Sequence, residues 1–120
     1  MDSETIKAND ILFFDYINNR NIEEMEKWID RFVAEDFINH SPELDVPKDK
    51  QGLKEMFRKL IQLFQDFNIN IKEMVFENDI LCFRFIVRGI GGDEGIMGLA
   101  MVKYKNGKII DRRVFTEGNG

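Results

Sequence analysis

The hydrophobic rhythm of this chain changes once, near Asn68, and that change constrains the fold more than any other feature. Before it, Leu53, Met56, Phe57, Leu60, Ile61, Phe64 and Phe67 recur at steps of three and four. Lys54, Glu55, Arg58, Lys59, Gln62 and Gln65 fill the opposite side. This spacing predicts an amphipathic helix from about Asp49 to Asp66. After Asn68 the period is two. Asn68 to Glu77 reads as a strand with Ile69 and Ile71 on one face. Ile80 to Arg88 is a stronger one: Leu81, Phe83, Phe85 and Val87 point one way, and Cys82, Arg84, Ile86 and Arg88 the other. Further strands are predicted from about Ile96 to Tyr104 and from Lys108 to Thr116. Asn78-Asp79 marks one turn, and Lys105-Asn106-Gly107 a hairpin whose Asn-Gly pair supplies positive φ.

Upstream, about Glu4 to Asn19 reads as a helix with Ile6, Ile11, Leu12, Phe13, Tyr16 and Ile17 on its apolar side. Asn21 is placed to cap a second helix carrying Ile22, Met25, Trp28, Ile29 and Phe32, with Glu23 and Glu24 in the first turn. Glu35 to His40 reads as a turn into a short extended piece, and Ser41-Pro42 and Pro47 as a loop. Gly89, Gly91, Gly92 and Gly95 form a loop around Asp93-Glu94, and Glu117 to Gly120 a frayed tail. Three helices followed by four antiparallel strands, with a small extra strand near Phe37, make a single α+β domain over residues 1–120. The helices pack on one face of a curved antiparallel sheet, and a pocket is expected between the two layers. The strand from Ile96 is apolar on both faces, with Ile96, Ala100 and Val102 against Met97, Leu99 and Met101. The face turned from the helices needs a cover, so a homodimer through the outer sheet face is expected.

Charge and composition narrow the function. The net charge is −5, with 17 basic residues interleaved among 22 acidic ones, so no basic face for nucleic acid or an anionic membrane is expected. One cysteine, Cys82, and one histidine, His40, make neither a disulfide nor a structural zinc site. No stretch approaches the ~20 apolar residues of a membrane span. The N-terminus carries Asp2 and Glu4 without an apolar run, and the cytoplasm is the expected location. The glycines at 89, 91, 92 and 95 do not lead from a strand into a helix, which disfavours phosphate binding.

Four segments carry a resemblance. They are Phe32 through Pro42, containing Asn39-His40-Ser41-Pro42; Gly52-Leu53-Lys54-Glu55-Met56-Phe57; Asn78-Asp79-Ile80-Leu81-Cys82-Phe83-Arg84-Phe85; and Asn106-Gly107-Lys108-Ile109-Ile110. In combination, from about Ile11 to Thr116, the chain resembles the SnoaL-like polyketide cyclase family of the nuclear transport factor 2-like superfamily. The resemblance implies a cone-like α+β barrel, usually dimeric, with a pocket between helices and sheet. It implies cofactor-free cyclase, isomerase or dehydratase chemistry, in a family where many members have no assigned reaction. The antibiotic cyclases use a His and an Asp on the last two strands. This chain departs from them: its only histidine is His40, and Val114 falls near the acid's position.

The candidate residues follow. His40, placed at the pocket wall by the resemblance, is suited to proton transfer near neutrality. Tyr16 on the first helix resembles the tyrosine that ketosteroid isomerases of the same superfamily place there to hold an oxyanion; read as a bare residue it is a core aromatic with its hydroxyl at the edge. Asn39 can orient a carbonyl or satisfy turn backbone, and strict alternation puts Asn39 and His40 on opposite faces. Arg112 and Arg113 also point apart, so one of them can enter the pocket and bind a carboxylate. Arg84 and Arg88 belong to the outer face, where Glu73 and Glu77 are available for ion pairs. Trp28, Phe57, Leu60 and Phe83 are the expected apolar lining. Two functions stay open. One is an enzyme acting without cofactor or metal on a small apolar, carbonyl-containing molecule, with His40 moving a proton and Tyr16 holding an enolate. The other is a non-catalytic ligand-binding or dimeric association module.

Overall fold

Each helix begins at a side chain that accepts a hydrogen bond from its first turn. Helix α1 (Ser3–Asn18) starts at Asp2, which accepts from the Thr5 amide at 2.8 Å. Helix α2 (Ile22–Phe32) starts at Asn21, which accepts from Glu24 at 3.2 Å. Helix α3 (Lys50–Leu63) starts at Asp49, which accepts from Gly52 at 2.8 Å. These caps satisfy amide donors that have no partner inside the helix. The strands are β1 (Val33–Asn39), β2 (Asn68–Glu77), β3 (Ile80–Arg88), β4 (Ile96–Lys105) and β5 (Lys108–Thr116). The computed structural model describes residues 2–90 and 94–117. The glycine-rich stretch at 91–93 and the tail at 118–120 lie outside the described residues.

The strands form one five-stranded sheet in the order β1-β5-β4-β3-β2. The β2–β3, β3–β4 and β4–β5 pairs are antiparallel, as expected. Asn78 (φ 53°) and Asp79 (φ 63°) make the first tight turn, and Asn106 (φ 53°) and Gly107 (φ 78°) the second. The first strand differs from expectation. It begins at Val33, directly where α2 ends, and it pairs parallel with β5 (Val33↔Ile109, Asn39↔Arg112). The sheet is therefore mixed rather than wholly antiparallel. It is curved and not closed into a barrel.

The three helices cover one face of the sheet. Ile17, Met25, Ile29, Val33, Met56 and Leu81 are fully buried between the layers. Along β3 and β4 the burial alternates, with Leu81, Phe83, Phe85, Ala100, Val102 and Tyr104 inward. Helix α1 is rotated from the expected face: Ile11 and Leu12 are exposed, and Ile6, Asp10, Phe13, Phe14 and Ile17 are buried. That set still has helical spacing, but one of its members is an aspartate. On the far side of the sheet Leu99, Met101 and Phe115 are exposed, with Leu99 opposite Phe115 across β4 and β5. Among the described residues no helix is long and apolar enough to cross a membrane.

Candidate functional site

A cavity of about 330 Å³ opens between α3 and the concave face of the sheet. Phe14, Phe57 and Leu60 contribute from the helices, Phe64 from the residue that ends α3, Phe83, Phe85, Val87 and Ala100 from β3 and β4, and Leu44 from the loop before α3. Its size falls within the range of small-molecule sites. Its polar lining groups are Arg112, Glu43 and Thr116. One glycine shapes the floor: a Cβ on Gly98 would stand 2.3 Å from Cζ of Phe85, so only glycine at this position leaves the Phe85 ring where it is.

Arg112 reaches the cavity because β5 is irregular. Tyr104 pairs with Ile109 and Lys103 with Asp111, so Ile110 is an extra residue in the ladder. Without the bulge, the face of Ile109 would continue to Asp111 and Arg113. With it, the inward set runs Ile109, Arg112, Val114 and Thr116, and Arg113 is exposed. The guanidinium is then held at several points. Nη1 donates to Asn39 Oδ1 and to the Ser41 carbonyl, both at 3.1 Å. Nη2 donates to Glu43 Oε1 at 2.8 Å. The ring of Phe57 lies 5.8 Å from the guanidinium carbon. Multipoint bonding and the aromatic face fix the fork in position before any ligand arrives.

Adjoining the main cavity is a smaller space, an inner chamber on the α1 side, of about 40 Å³. It shares Phe14, Phe57, Phe83 and Arg112 with the main cavity, and adds Asp10, Phe13 and Trp28. Asp10 is buried, and among the described residues its Oδ2 has no hydrogen-bond partner. Burial pushes its carboxyl up to about 7, against the opposing pull of the Arg112 charge. Tyr104 stands near it on β4, and burial together with the Asp10 charge raises the phenol well above its ordinary range.

The expected site residues divide. Phe57, Leu60, Phe83 and Arg112 all line the main cavity. Trp28 lines the inner chamber, stacked 4.4 Å from Phe13, with its indole N–H donating to the Asn9 carbonyl at 3.0 Å. Asn39 is fully buried and lines neither space; its Oδ1 accepts from Arg112 and from the Ser41 amide (3.1 Å), so it acts on the cavity through the arginine. His40 points to the opposite face from Asn39, as alternation requires, and its Nε2 lies 4.0 Å from Asp111. Tyr16 is half-buried on the flank of α1. Neither His40 nor Tyr16 lines either space. Arg84 pairs with Glu73 at 2.8 Å on the outer face. Asp10 and Glu43 were not singled out in the sequence. The signal for Asp10 was its place at a helical step between Ile6 and Phe13/Phe14. Glu43 lies in an irregular loop, where no periodicity marks it. Among the described residues no three His, Cys, Asp or Glu side chains gather as a metal site.

Comparison with known proteins agrees with this fold. No curated protein matches the sequence. TsrD from Streptomyces laurentii superposes with a TM-score of 0.77 at 13% identity, over 98% of this chain and 91% of that one. A provisionally assigned isomerase of the SnoaL-like family from Agrobacterium tumefaciens gives 0.75 at 17% identity, over 92% and 96%. Wild-type IdmH from Streptomyces antibioticus, provisionally assigned as a polyketide cyclase, gives 0.70 at 16% identity, over 92% and 91%. At these identities the likeness establishes the fold alone. The family model of the SnoaL-like polyketide cyclases matches residues 11–117, nearly the whole chain, and the protein therefore belongs to the SnoaL-like polyketide cyclase family.

Proposed function

We propose that this protein binds a small, mostly apolar molecule bearing a carbonyl or carboxylate oxygen, and acts on it as a cofactor-free isomerase or cyclase. The observation that carries this reading is the pairing of an apolar cavity of about 330 Å³ with one immobilised guanidinium in its wall. The aromatic lining favours a ring system. Arg112 faces the ligand's oxygen and stabilises negative charge that develops there when a neighbouring C–H is deprotonated. Because the fork is already held by Asn39, Ser41 and Glu43, little reorganisation is needed at that moment. His40 and Tyr16 have no part in this reading, since both side chains lie off the cavity.

Two probes test it. The wild type is expected to bind 2-naphthoate in calorimetry, and Arg112→Met to weaken binding by tenfold or more, the equivalent of one charged hydrogen bond of ~1.5–3 kcal/mol. Equal affinity in the two proteins would remove Arg112 from the reading. The second probe is 2-tetralone in D₂O. Faster deuterium uptake at its α-carbon supports the enzyme, whereas binding without exchange favours a carrier or sensor of the same ligand class.

The outer face supports a second element of the proposal, a homodimer. Leu99, Met101 and Phe115 form an exposed apolar strip on β4 and β5, flanked by Arg84 and Met97. A second copy of the same strip is the simplest cover. A monomeric mass in light scattering at micromolar concentration would sink it.

A further inference from the structure

We propose that Asp10 is the proton-handling catalytic residue of this site, reached by a ligand that extends from the main cavity into the inner chamber between Phe14, Phe57 and Phe83. The inference rests on the cavity reading above and adds to it a base supplied by α1 rather than by the last strands. Three observations support it. Asp10 is 3% exposed and its Oδ2 has no hydrogen-bond partner among the described residues, although buried carboxylate oxygens are ordinarily hydrogen-bonded. It borders a chamber of about 40 Å³, which has room for a water molecule or the edge of a ring. That chamber shares Phe14, Phe57, Phe83 and Arg112 with the lining of the main cavity, so the two spaces adjoin.

The charged and titratable groups facing Asp10 are Arg112 from β5 and Tyr104 from β4. Among the described residues the Arg112 guanidinium donates elsewhere, to Asn39, Ser41 and Glu43. It therefore attracts the carboxylate through space without occupying Oδ2. Tyr104 keeps its proton, so it offers Asp10 no competing base. A carboxyl pushed up to about 7 is balanced between giving and accepting a proton at neutral pH.

The substrate class is a compact cyclic ketone with an acidified α C–H, small enough for the chamber to admit its edge. Ionised Asp10 takes the α-proton onto Oδ2 as the C–H bond breaks. The electron pair moves into the enolate, whose oxygen faces Arg112. Asp10, now a carboxylic acid, returns the proton to another carbon of the conjugated system and is restored as carboxylate. The product is an isomer, with no oxidant, reductant or co-reactant consumed.

The test uses 2-naphthol, an analogue of an enol, with wild type and Asp10→Asn compared from pH 5 to 8.5. In the wild type the Kd for 2-naphthol should tighten by about tenfold or more as pH rises through the titration of Asp10, because the carboxylate accepts the hydroxyl's hydrogen bond. In D10N the affinity should be flat with pH. Circular dichroism checks that D10N is folded. Infrared spectroscopy on the wild type alone provides the second measurement: a protonated-carboxyl band should titrate near neutrality and shift when 2-naphthol binds. A pH dependence unchanged in D10N, or a carboxyl band indifferent to 2-naphthol, overturns the role of Asp10. If 2-naphthoate still binds in that case, the cavity reading survives. If neither 2-naphthol nor 2-naphthoate binds the wild type at any pH, the cavity reading fails and takes the Asp10 role with it.

Discussion

Replacing Asp10 should remove a pH-dependent burden on stability, and the size of the effect follows from its burial. The folded protein holds this carboxyl at about 7, against 3.8 for an ordinary aspartate. One pKa unit corresponds to ~1.4 kcal/mol, so ionising Asp10 in the folded state costs roughly 4 kcal/mol more than in the unfolded chain. The pKa is raised on folding, so below pH 4 both states hold the proton and nothing is lost. As pH rises from 4 towards 7 the unfolded chain releases the proton while the folded one keeps it, and stability falls by ~1.4 kcal/mol per pH unit. Above the folded value the loss levels off. Arg112 and Tyr104, the groups that face Asp10, do not confuse this window: a guanidinium stays charged throughout, and the phenol is raised further from it. The assay is urea unfolding of wild type and D10N at pH 4.5, 6 and 8. The asparagine amide adds its own desolvation cost, which is the same at each pH, so the change in the difference is the readout. D10N is expected to gain on the wild type by a few kcal/mol between pH 4.5 and 8, corresponding to a relative rise in Tm on the order of 10 °C at pH 8. A difference that stays constant within ~0.5 kcal/mol across this range would refute the argument, since it would mean that Asp10 is as well solvated as an exposed aspartate.

Other consequences are open to direct measurement. Gly98→Ala should drive the Phe85 ring into the main cavity, because the new Cβ would meet Cζ at 2.3 Å; a loss of ~1–3 kcal/mol in stability and weaker 2-naphthoate binding are expected, and unchanged values for both would show that the ring has another place to go. Asn39→Leu deprives Arg112 and the Ser41 amide of an acceptor inside the protein; denaturant unfolding should show a cost of ~1–3 kcal/mol, with 2-naphthoate affinity falling as the arginine loosens. His40→Gln should leave probe binding within twofold and stability within ~0.5 kcal/mol, because the side chain sits beside Asp111 off the cavity; a large loss of binding would return the histidine to the site. Phe115→Glu places a charge opposite Leu99 on the exposed strip, and light scattering should report a monomer with an unaltered circular dichroism spectrum.

Much of the fold is legible in the sequence because local rules and the tertiary structure agree there. The strands 68–77, 80–88 and 108–116 fall where alternation and turn residues put them, since Asn78-Asp79 and Asn106-Gly107 adopt the positive φ that short hairpins need. The cap at Asn21 works for the same local reason. The parallel pairing of β1 with β5 is not legible, because it joins segments more than 70 residues apart and no local pattern specifies it. The site turns on two features that a search for apolar periodicity discards. The first is the extra residue at Ile110. Alternation shows that Arg112 and Arg113 oppose each other, but only the bulge decides which of them faces the cavity. The second is Asp10. Scoring α1 by hydrophobicity draws the face towards Ile11 and Leu12, whereas the buried face runs through an aspartate flanked by Ile6 and Phe13/Phe14. Both features are hard to read for the same physical reason. A polar residue on a core face lowers the very signal by which that face is recognised, and it persists there only where another interaction or a function offsets its burial. For Arg112 the offset is visible in Asn39, Ser41 and Glu43. For Asp10 burial outweighs the pull of the Arg112 charge and Oδ2 has no hydrogen-bond partner among the described residues, which is what ties the proposed chemistry to the chamber it borders.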